Sequence, residues 1–393
     1  MTAYGVLGAG RQGTAAAYDL AVHGGAARLV MADRDAGAAR TAADRLNRLL
    51  GRDLVEAATV DASDRRSLGR FLNPLDAFVC AVPYAFLLPC TRAAIAAGTG
   101  MVDMGGHTDT VLAQLAMYPE ARQGGVAVVP DCGMGPGMNN TLGLYAMELL
   151  RARGITPRRV HLWDGGLPRD RSGPWGYRLC FNLEGLTNEY DGQALVLRDG
   201  RLTRVDTLTE LEEVEFDGLG RLEAFVTSGG TSTVPFAFEG ILEVYDNKTL
   251  RYPGHLAAFK AFKDLGLFGR EPLRVGKADV RPRDVYHALL GPLIETSGLE
   301  DVCVLRARAE GEAAGRRVAV AVAVDMIDRF DPATGFAAME RLTGWHAAIM
   351  ASLIAQGEIP AGVHSLEKAV GAARFMEEVR RRGFTWTERW EEG

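Results

Sequence analysis

The run Gly8-Ala9-Gly10-Arg11-Gln12-Gly13 narrows the possible folds of this chain more than any other feature. It follows an apolar strand-like run, residues 4–7, and opens a helical pattern over 14–22 that ends at Gly24-Gly25. In that setting Gly8 allows a tight turn, Gly10 lets the backbone approach a pyrophosphate, and Gly13 lets helix and strand pack closely. Unpaired N–H groups and the dipole at the helix start favour phosphate there. The bland alternative is a glycine-rich turn with no nucleotide. Asp33 argues against it: it ends the second strand, 25 residues beyond Gly8. A carboxylate at that place accepts hydrogen bonds from an adenosine ribose and repels a 2′-phosphate, which favours NAD over NADP. Arg34 is the counter-signal, since an arginine accommodates that phosphate. Asp61 has two readings, an adenine contact or a helix cap. The expected cofactor-binding set is Gly8, Gly10, Arg11, Gln12, Gly13, Asp33, Arg34 and Asp61, joined by Ala81, Pro83 and Gly105 at later strand ends.

Downstream, apolar strands at 28–32, 54–60, 76–82, 101–104 and 125–129 alternate with helical patterns at 36–50 and 86–97 and one capped by Ser63. Such alternation predicts an α/β fold with a doubly wound parallel sheet. Beyond Asn140 the pattern changes. A helix over 141–153 leads into strand-like runs at 159–163, 176–183, 194–197 (with an Asp199-Gly200 turn), 239–246 and 249–252. Runs at 302–309 and 317–325 read as a hairpin. Strands that follow one another without crossover helices imply a second domain with a mostly antiparallel sheet. Helical patterns return at 336–356 and 366–383. The expected division is a dinucleotide-binding domain over 1–130, a substrate-binding and oligomerisation domain over 131–335, and C-terminal helices over 336–393 that pack back on the first domain.

At 393 residues the chain has room for two such units, and 47% hydrophobic with 24% charged residues is an ordinary globular balance. A net charge of −6 with dispersed basic residues excludes an electrostatic nucleic-acid footprint. No apolar run is long enough to span a bilayer, and residues 2–7 read as a strand rather than a secretory signal. Five scattered cysteines without a CxxC pair point to free thiols in a cytoplasmic, reducing setting, and no metal site is expected.

Ligands of an open α/β sheet bind beyond the carboxyl ends of its strands. Three loops lie there: Val82-Pro83-Tyr84, Gly105-Gly106-His107, and the glycine-rich residues 130–140 that end in Asn139-Asn140. His107 follows a strand and two glycines, so it is expected to project into the cleft and accept a proton from an amine or alcohol. Its rival reading is a hydrogen-bonded structural histidine. Asp131 is the second catalytic candidate, or a residue that satisfies the loop backbone; Cys132 is a substrate contact or a buried small apolar residue. Further substrate-binding candidates are Tyr84, Gly106, Asn139, Asn140 and Thr231, with Glu184 for a substrate ammonium and Arg178 or Arg251 for a carboxylate. For the charged three, the competing reading is a structural ion pair.

At these motifs the chain resembles the saccharopine dehydrogenase-like family, and within it the L-lysine 6-dehydrogenases. The matching segments are Asp103-Met104-Gly105-Gly106-His107, residues 130–140, Gly165-Gly166-Leu167-Pro168, residues 181–186, Leu222-Glu223-Ala224-Phe225, residues 227–233 and 250–255, and Met339-Glu340-Arg341-Leu342-Thr343-Gly344. The resemblance runs nearly end to end. It implies an N-terminal Rossmann domain completed by the C-terminal helices, an inserted α+β domain, and a homo-oligomer such as a dimer. It also implies NAD-linked deamination of the ε-amino group of L-lysine, without a catalytic metal. The chain has Gly135 where saccharopine-forming members tend to have Asp, and Glu184 near the place of an Arg followed by Gly. These departures favour lysine over saccharopine. The alternatives are a saccharopine-type enzyme that joins an amine and an aldehyde through an imine, and a non-catalytic NAD-binding regulatory protein.

Overall fold

The computed structural model describes residues 2–296, 298–313 and 319–392, and its first layer is a parallel sheet. Strands β1 (Thr2–Leu7), β2 (Ala26–Asp33), β3 (Val55–Thr59), β4 (Ala77–Cys80), β5 (Gly100–Asp103) and β6 (Ala127–Val129) lie in spatial order β3-β2-β1-β4-β5-β6. This is the doubly wound order, in which the direction of winding reverses between β1 and β4. Gly362–Val363 extends the far edge by pairing parallel to β6. The β4 residues Ala-Phe-Val-Cys are all buried, as a strand covered on both faces requires. Successive side chains divide between the two layers. Val6 and Val79 share a core with the helix Arg11–Val22, while Leu7 and Phe78 join Phe71 and Leu87 on the other face.

The second sheet is mixed and mostly antiparallel. Its strands are β7 (Ile155–Pro168), β8 (Gln193–Arg198), β9 (Arg201–Asp206), β10 (Glu212–Phe216), β11 (Gly220–Val226) and β12 (Val244–Arg251). A small separate hairpin follows, β13 (Leu273–Val275) with β14 (Ala278–Val280), and then the long hairpin β15 (Asp301–Ala313) and β16 (Ala319–Arg329). The main path runs β10-β11-β12-β7-β15-β16, and the tail strand Trp386–Glu392 pairs with β16. Only β12 and β7 pair parallel along this path, because helical and hairpin segments separate them in sequence.

The chain passes between the two sheets after β6, after β16, and again after Gly362–Val363. The helix Ala338–Ala355 lies against Arg11–Val22 and against β4 and β5, whereas the last strand joins the second sheet. Gly344 permits the helix contact: a Cβ there would stand 2.7 Å from both the Ala16 nitrogen and the Gln12 carbonyl oxygen. Gly344→Leu is therefore expected to lower unfolding free energy by about 1–3 kcal/mol, the usual cost of overpacking. A urea midpoint equal to wild type would refute that contact. Arg382, just past the helix Ala372–Arg381, reaches back to Asp19, with its Nε 2.8 and 2.9 Å from the two carboxylate oxygens and both side chains buried.

Several local expectations are corrected. Asp64, not Ser63, caps the helix Arg65–Leu72 by accepting from the Arg66 N–H at 2.9 Å, while Ser63 donates to Asp61. The helices Thr108–Leu115 and Tyr118–Gln123 occupy a stretch for which no element was expected. Residues 176–183 form no strand; a 3₁₀ turn, Pro174–Gly176, leads through irregular chain into the helix Leu183–Tyr190. The two short strands expected over 239–252 are one, β12, and residues 234–238 before it are helical. Arg317, where the expected second hairpin strand starts, lies outside the described residues. Among the described residues, no helix is long and apolar enough to cross a membrane.

Candidate functional site

The glycine turn is shaped by close approach. Gly8 has φ +111°, and a Cβ there would fall 2.4 Å from the Ala81 carbonyl oxygen; at Gly13 it would fall 2.0 Å from the Gly8 oxygen. Gly10 opens onto free space, and the helix Arg11–Val22 begins without a side-chain cap, so its first N–H groups remain available. Asp33 ties the turn to β2, accepting from the Ala9 N–H at 2.8 Å and from the Asp35 N–H at 3.0 Å. Arg34 is exposed beside it. Asp61 folds onto Ser63, accepting from its backbone N–H and its hydroxyl, and these bonds hold its carboxyl below the usual range. Asp61 thus stabilises the turn before the helix Arg65–Leu72, whose cap is Asp64.

Between this turn and the second sheet lies a cleft of about 770 Å³. One wall comes from the nucleotide side: Gly10, Arg11, Gln12, Gly13, then Ala81, Pro83 and Tyr84, then Gly105 and Gly106. The facing wall comes from the second sheet. Asn247, Thr249 and Arg251 alternate along β12 and therefore share a face, and Thr249 stands opposite Asp164 of β7 in the parallel register. Residues 227–230 and Tyr177, Cys180, Phe181 and Asn182 continue this wall, and the helix Leu183–Tyr190 adds Glu184, Asn188 and Glu189.

The charges on that wall are few and strongly placed. Arg251 is buried; its Nε donates to the Tyr190 hydroxyl at 2.9 Å and its Nη1 to the Leu250 carbonyl at 2.9 Å. Its Nη2 lies 3.8 Å from Glu189 Oε2. Burial pushes the Glu189 carboxyl up to about 8; Arg251 pulls it back and Asp164 pushes it further. The Asp164 carboxyl is pushed up to about 6, again chiefly by burial, with Asn247, Arg251 and Asn139 acting the other way. The Tyr177 hydroxyl is buried with no hydrogen-bond partner among the described residues. One guanidinium beside two acids of raised pKa suits a ligand that carries both a carboxylate and an amine.

Of the residues singled out from sequence, Tyr84, Gly106, Glu184 and Arg251 line this cleft, together with Gly10, Arg11, Gln12 and Gly13 of the glycine turn, Ala81, Pro83 and Gly105; Gly8 lies behind them against Ala81. Glu184 is held by Arg270 and Arg283, each at 2.9 Å. The others lie elsewhere. Gly105 (φ +67°) and Gly106 (φ +103°) turn the chain so that His107 is exposed and caps Thr108–Leu115 rather than entering the cleft. Its Nδ1 accepts from the Thr110 N–H at 3.3 Å, and its ring stacks on Tyr84 with centroids 4.6 Å apart. Asp131 is buried outside the cleft lining and accepts from the Ser232 hydroxyl at 2.5 Å; burial pushes its carboxyl up to about 7. Cys132 is buried, with its Sγ directed at the Val129 and Pro130 carbonyls, and burial raises its thiol. Asn139 and Asn140 donate to the Gly230 carbonyl at 3.0 and 2.9 Å and so tie the helix Met138–Ala152 to the loop after β11. Arg178 donates to the Leu293 carbonyl, and Thr231 to that of Leu195. Sequence reasoning missed Asp164, Glu189, Tyr177, Asn188 and Asn247. The one available signal was an acid placed directly before Gly165-Gly166, as Asp164 is at the end of the strand-like run 159–163.

Comparison with known proteins agrees with this layout. The profile of the saccharopine dehydrogenase NADP binding domain matches residues 4–129, and that of the saccharopine dehydrogenase C-terminal domain matches residues 133–384. The chain is 22% identical over 219 residues to saccharopine dehydrogenase [NADP(+), L-glutamate-forming] of Saccharomyces cerevisiae, covering 54% of this chain and 48% of that protein. It is 23% identical over 240 residues to the mitochondrial alpha-aminoadipic semialdehyde synthase of Bos taurus, covering 59% of this chain and 25% of the relative. The chain thus spans about half, or less, of the length of these curated relatives. The solved apo structure of the Saccharomyces cerevisiae saccharopine dehydrogenase (L-Glu forming) shares its fold, with a TM-score of 0.79 at 18% identity over the whole of both chains. The open space over Gly10 and the uncapped helix start fit the nucleotide that the first profile names. By these two matches, which together take in most of its length, the chain belongs to the saccharopine dehydrogenase family.

Proposed function

We propose that this protein is a pyridine-nucleotide-dependent oxidoreductase acting on the CH–NH2 group of an amino acid, with L-lysine as substrate and its ε-amine as the reacting group. The observation that carries the reading is the wall of Arg251, Glu189 and Asp164 facing the glycine turn across one cleft. In this reading a bound nucleotide supplies the two-electron acceptor. Arg251 holds the α-carboxylate, and Asp164 and Glu189 attract the amines. Glu189 takes the proton from the reacting ammonium as its carbon is oxidised to an imine, and water then releases the aldehyde and ammonium. Glu189 replaces His107 in this role because the histidine ring is engaged as a helix cap at the rim. NAD is the proposed nucleotide, since an acid ending the second strand, as Asp33 does, accepts from an adenosine ribose and disfavours a 2′-phosphate; exposed Arg34 is the residue that would favour NADP.

A base with a raised pKa works only as its carboxylate. Because burial holds Glu189 near 8, kcat/KM for L-lysine should climb as pH rises toward 8 and level off above it. Glu189→Gln should lower kcat by about 10²–10⁴-fold and flatten that limb. A limb that survives the substitution assigns the base elsewhere. NADH absorbance on adding L-lysine and NAD tests the substrate. The relatives' names favour a second reading, a saccharopine-type reaction. Saccharopine-dependent reduction of NADP, with no lysine turnover, would establish that reading and end the first.

A further inference from the structure

Arg11 and Gln12 stand in the first turn of the helix whose N-terminus faces the phosphate position, yet their side chains point across the cleft. Arg11 Nη2 donates to the Thr296 carbonyl at 2.8 Å, and its Nη1 to the Leu179 carbonyl at 3.4 Å. Gln12 Nε2 donates to the Cys180 carbonyl at 3.5 Å. Tyr177 and Leu179 of the segment they hold are packed into an aromatic cluster, but few hydrogen bonds fix its backbone. It is irregular chain between Gly176 and the helix Leu183–Tyr190, without the ladder that a strand would have. Its other ties run to the end of the helix Pro282–Ile294: the Leu179 N–H donates to the Ile294 carbonyl at 3.0 Å, and Arg178 to that of Leu293. Tyr177, Cys180, Phe181 and Asn182 of this segment line the cleft, and the helix that follows carries Glu189.

We propose that Arg11, assisted by Gln12, is a positioning residue that couples occupancy of the glycine turn to the placement of the substrate wall, residues 177–190. The inference rests on the nucleotide-binding part of the proposed function. A nucleotide that orders the first turn of Arg11–Val22 fixes the base of the Arg11 side chain, and the planar guanidinium passes that order to two carbonyls on the facing wall. A lysine in its place carries the charge but cannot bridge both carbonyls in one plane. The substrate wall is then built fully only when nucleotide is present, so substrate binds better second than first.

Hydrogen exchange on the full chain, with NAD and NADP as the probes, tests this without turnover. In wild type, saturating nucleotide should slow exchange of the amides in 177–190 by about tenfold, the size of a typical coupling between sites. Arg11→Ala, read at saturating nucleotide, should abolish that protection. Arg11→Lys should keep part of it, and Gln12→Ala most of it. A wild-type thermal midpoint checks that Arg11→Ala folds; its side chain is 37% exposed, so the fold should tolerate the change. Protection that persists in Arg11→Ala overturns the proposal. So does a loss of nucleotide affinity beyond about tenfold, which would make Arg11 a direct phosphate ligand. Wild-type protein that binds neither nucleotide would fail the proposed function itself, whereas binding without protection of 177–190 defeats this inference alone.

Discussion

Arg251→Met should reduce kcat/KM for the amino-acid substrate by about 10²–10³-fold, the range expected when one member of a buried charged pair is removed. Nucleotide affinity should change much less, because no direct hydrogen bond joins the glycine turn to Arg251. The effect has two parts. The substrate carboxylate loses its guanidinium, which raises KM. Glu189 also loses the cation that pulls its pKa down, so its carboxyl climbs further above 8 and the rising limb of the pH profile moves to higher pH. Arg251→Lys restores the charge but not the bond geometry to Tyr190 and Leu250, and should recover only part of the activity. Initial rates across pH 6–10 read both parts. A pH profile that stays in place while KM rises would show that Arg251 does not act on Glu189.

Arg382→Met should destabilise the fold by about 3–5 kcal/mol, because it leaves a buried carboxylate without its cation. Asp19 is fully buried, and burial already pushes its carboxyl up to about 6 against the pull of Arg382. With Arg382 gone, the folded-state pKa of Asp19 rises further above its value of 3.8 in the unfolded chain. The folded state then binds a proton more readily than the unfolded state through that window, so stability falls as pH rises across it. The deficit relative to wild type should therefore be larger at pH 8 than at pH 5. Urea midpoints at the two pH values measure this. Adding Asp19→Asn should recover much of the loss at pH 8. An equal deficit at both values would mean that lost packing around the methylene stem, not the orphaned charge, dominates.

The parallel sheet was legible because its strands are continuous apolar runs and its first turn admits only glycine at two close contacts. The second sheet was harder to read. Residues 176–183 alternate Tyr177, Leu179 and Phe181 in the manner of a half-buried strand. In the structure Tyr177 and Leu179 pack into an aromatic cluster with Phe259 and Tyr286, and the backbone finds its partners on Ile294, Arg11 and Gln12. Such bonds are set by tertiary contacts that no local period encodes. Asn247-Lys248 read as a break between two strands, but parallel pairing with β7 carries β12 straight through. For the same reason Asn247 and Asp164 could not be recognised as neighbours from sequence: only that register brings them to one face. The loop after β5 was placed correctly at the cleft, but not its histidine, because two glycines with positive φ redirect the side chain.

The three passages of chain between the sheets bear on how the protein can move. A pair of lobes joined by one or two connections can swing apart like a clam shell about a hinge. Here a third connection runs from Gly362–Val363 to a strand paired with β16, so a wide swing would have to bend three crossings at once. Rearrangement at the cleft should therefore be local, and the segment between Gly176 and Leu183, which has no strand ladder and is tied to the glycine turn through Arg11 and Gln12, is where it should show.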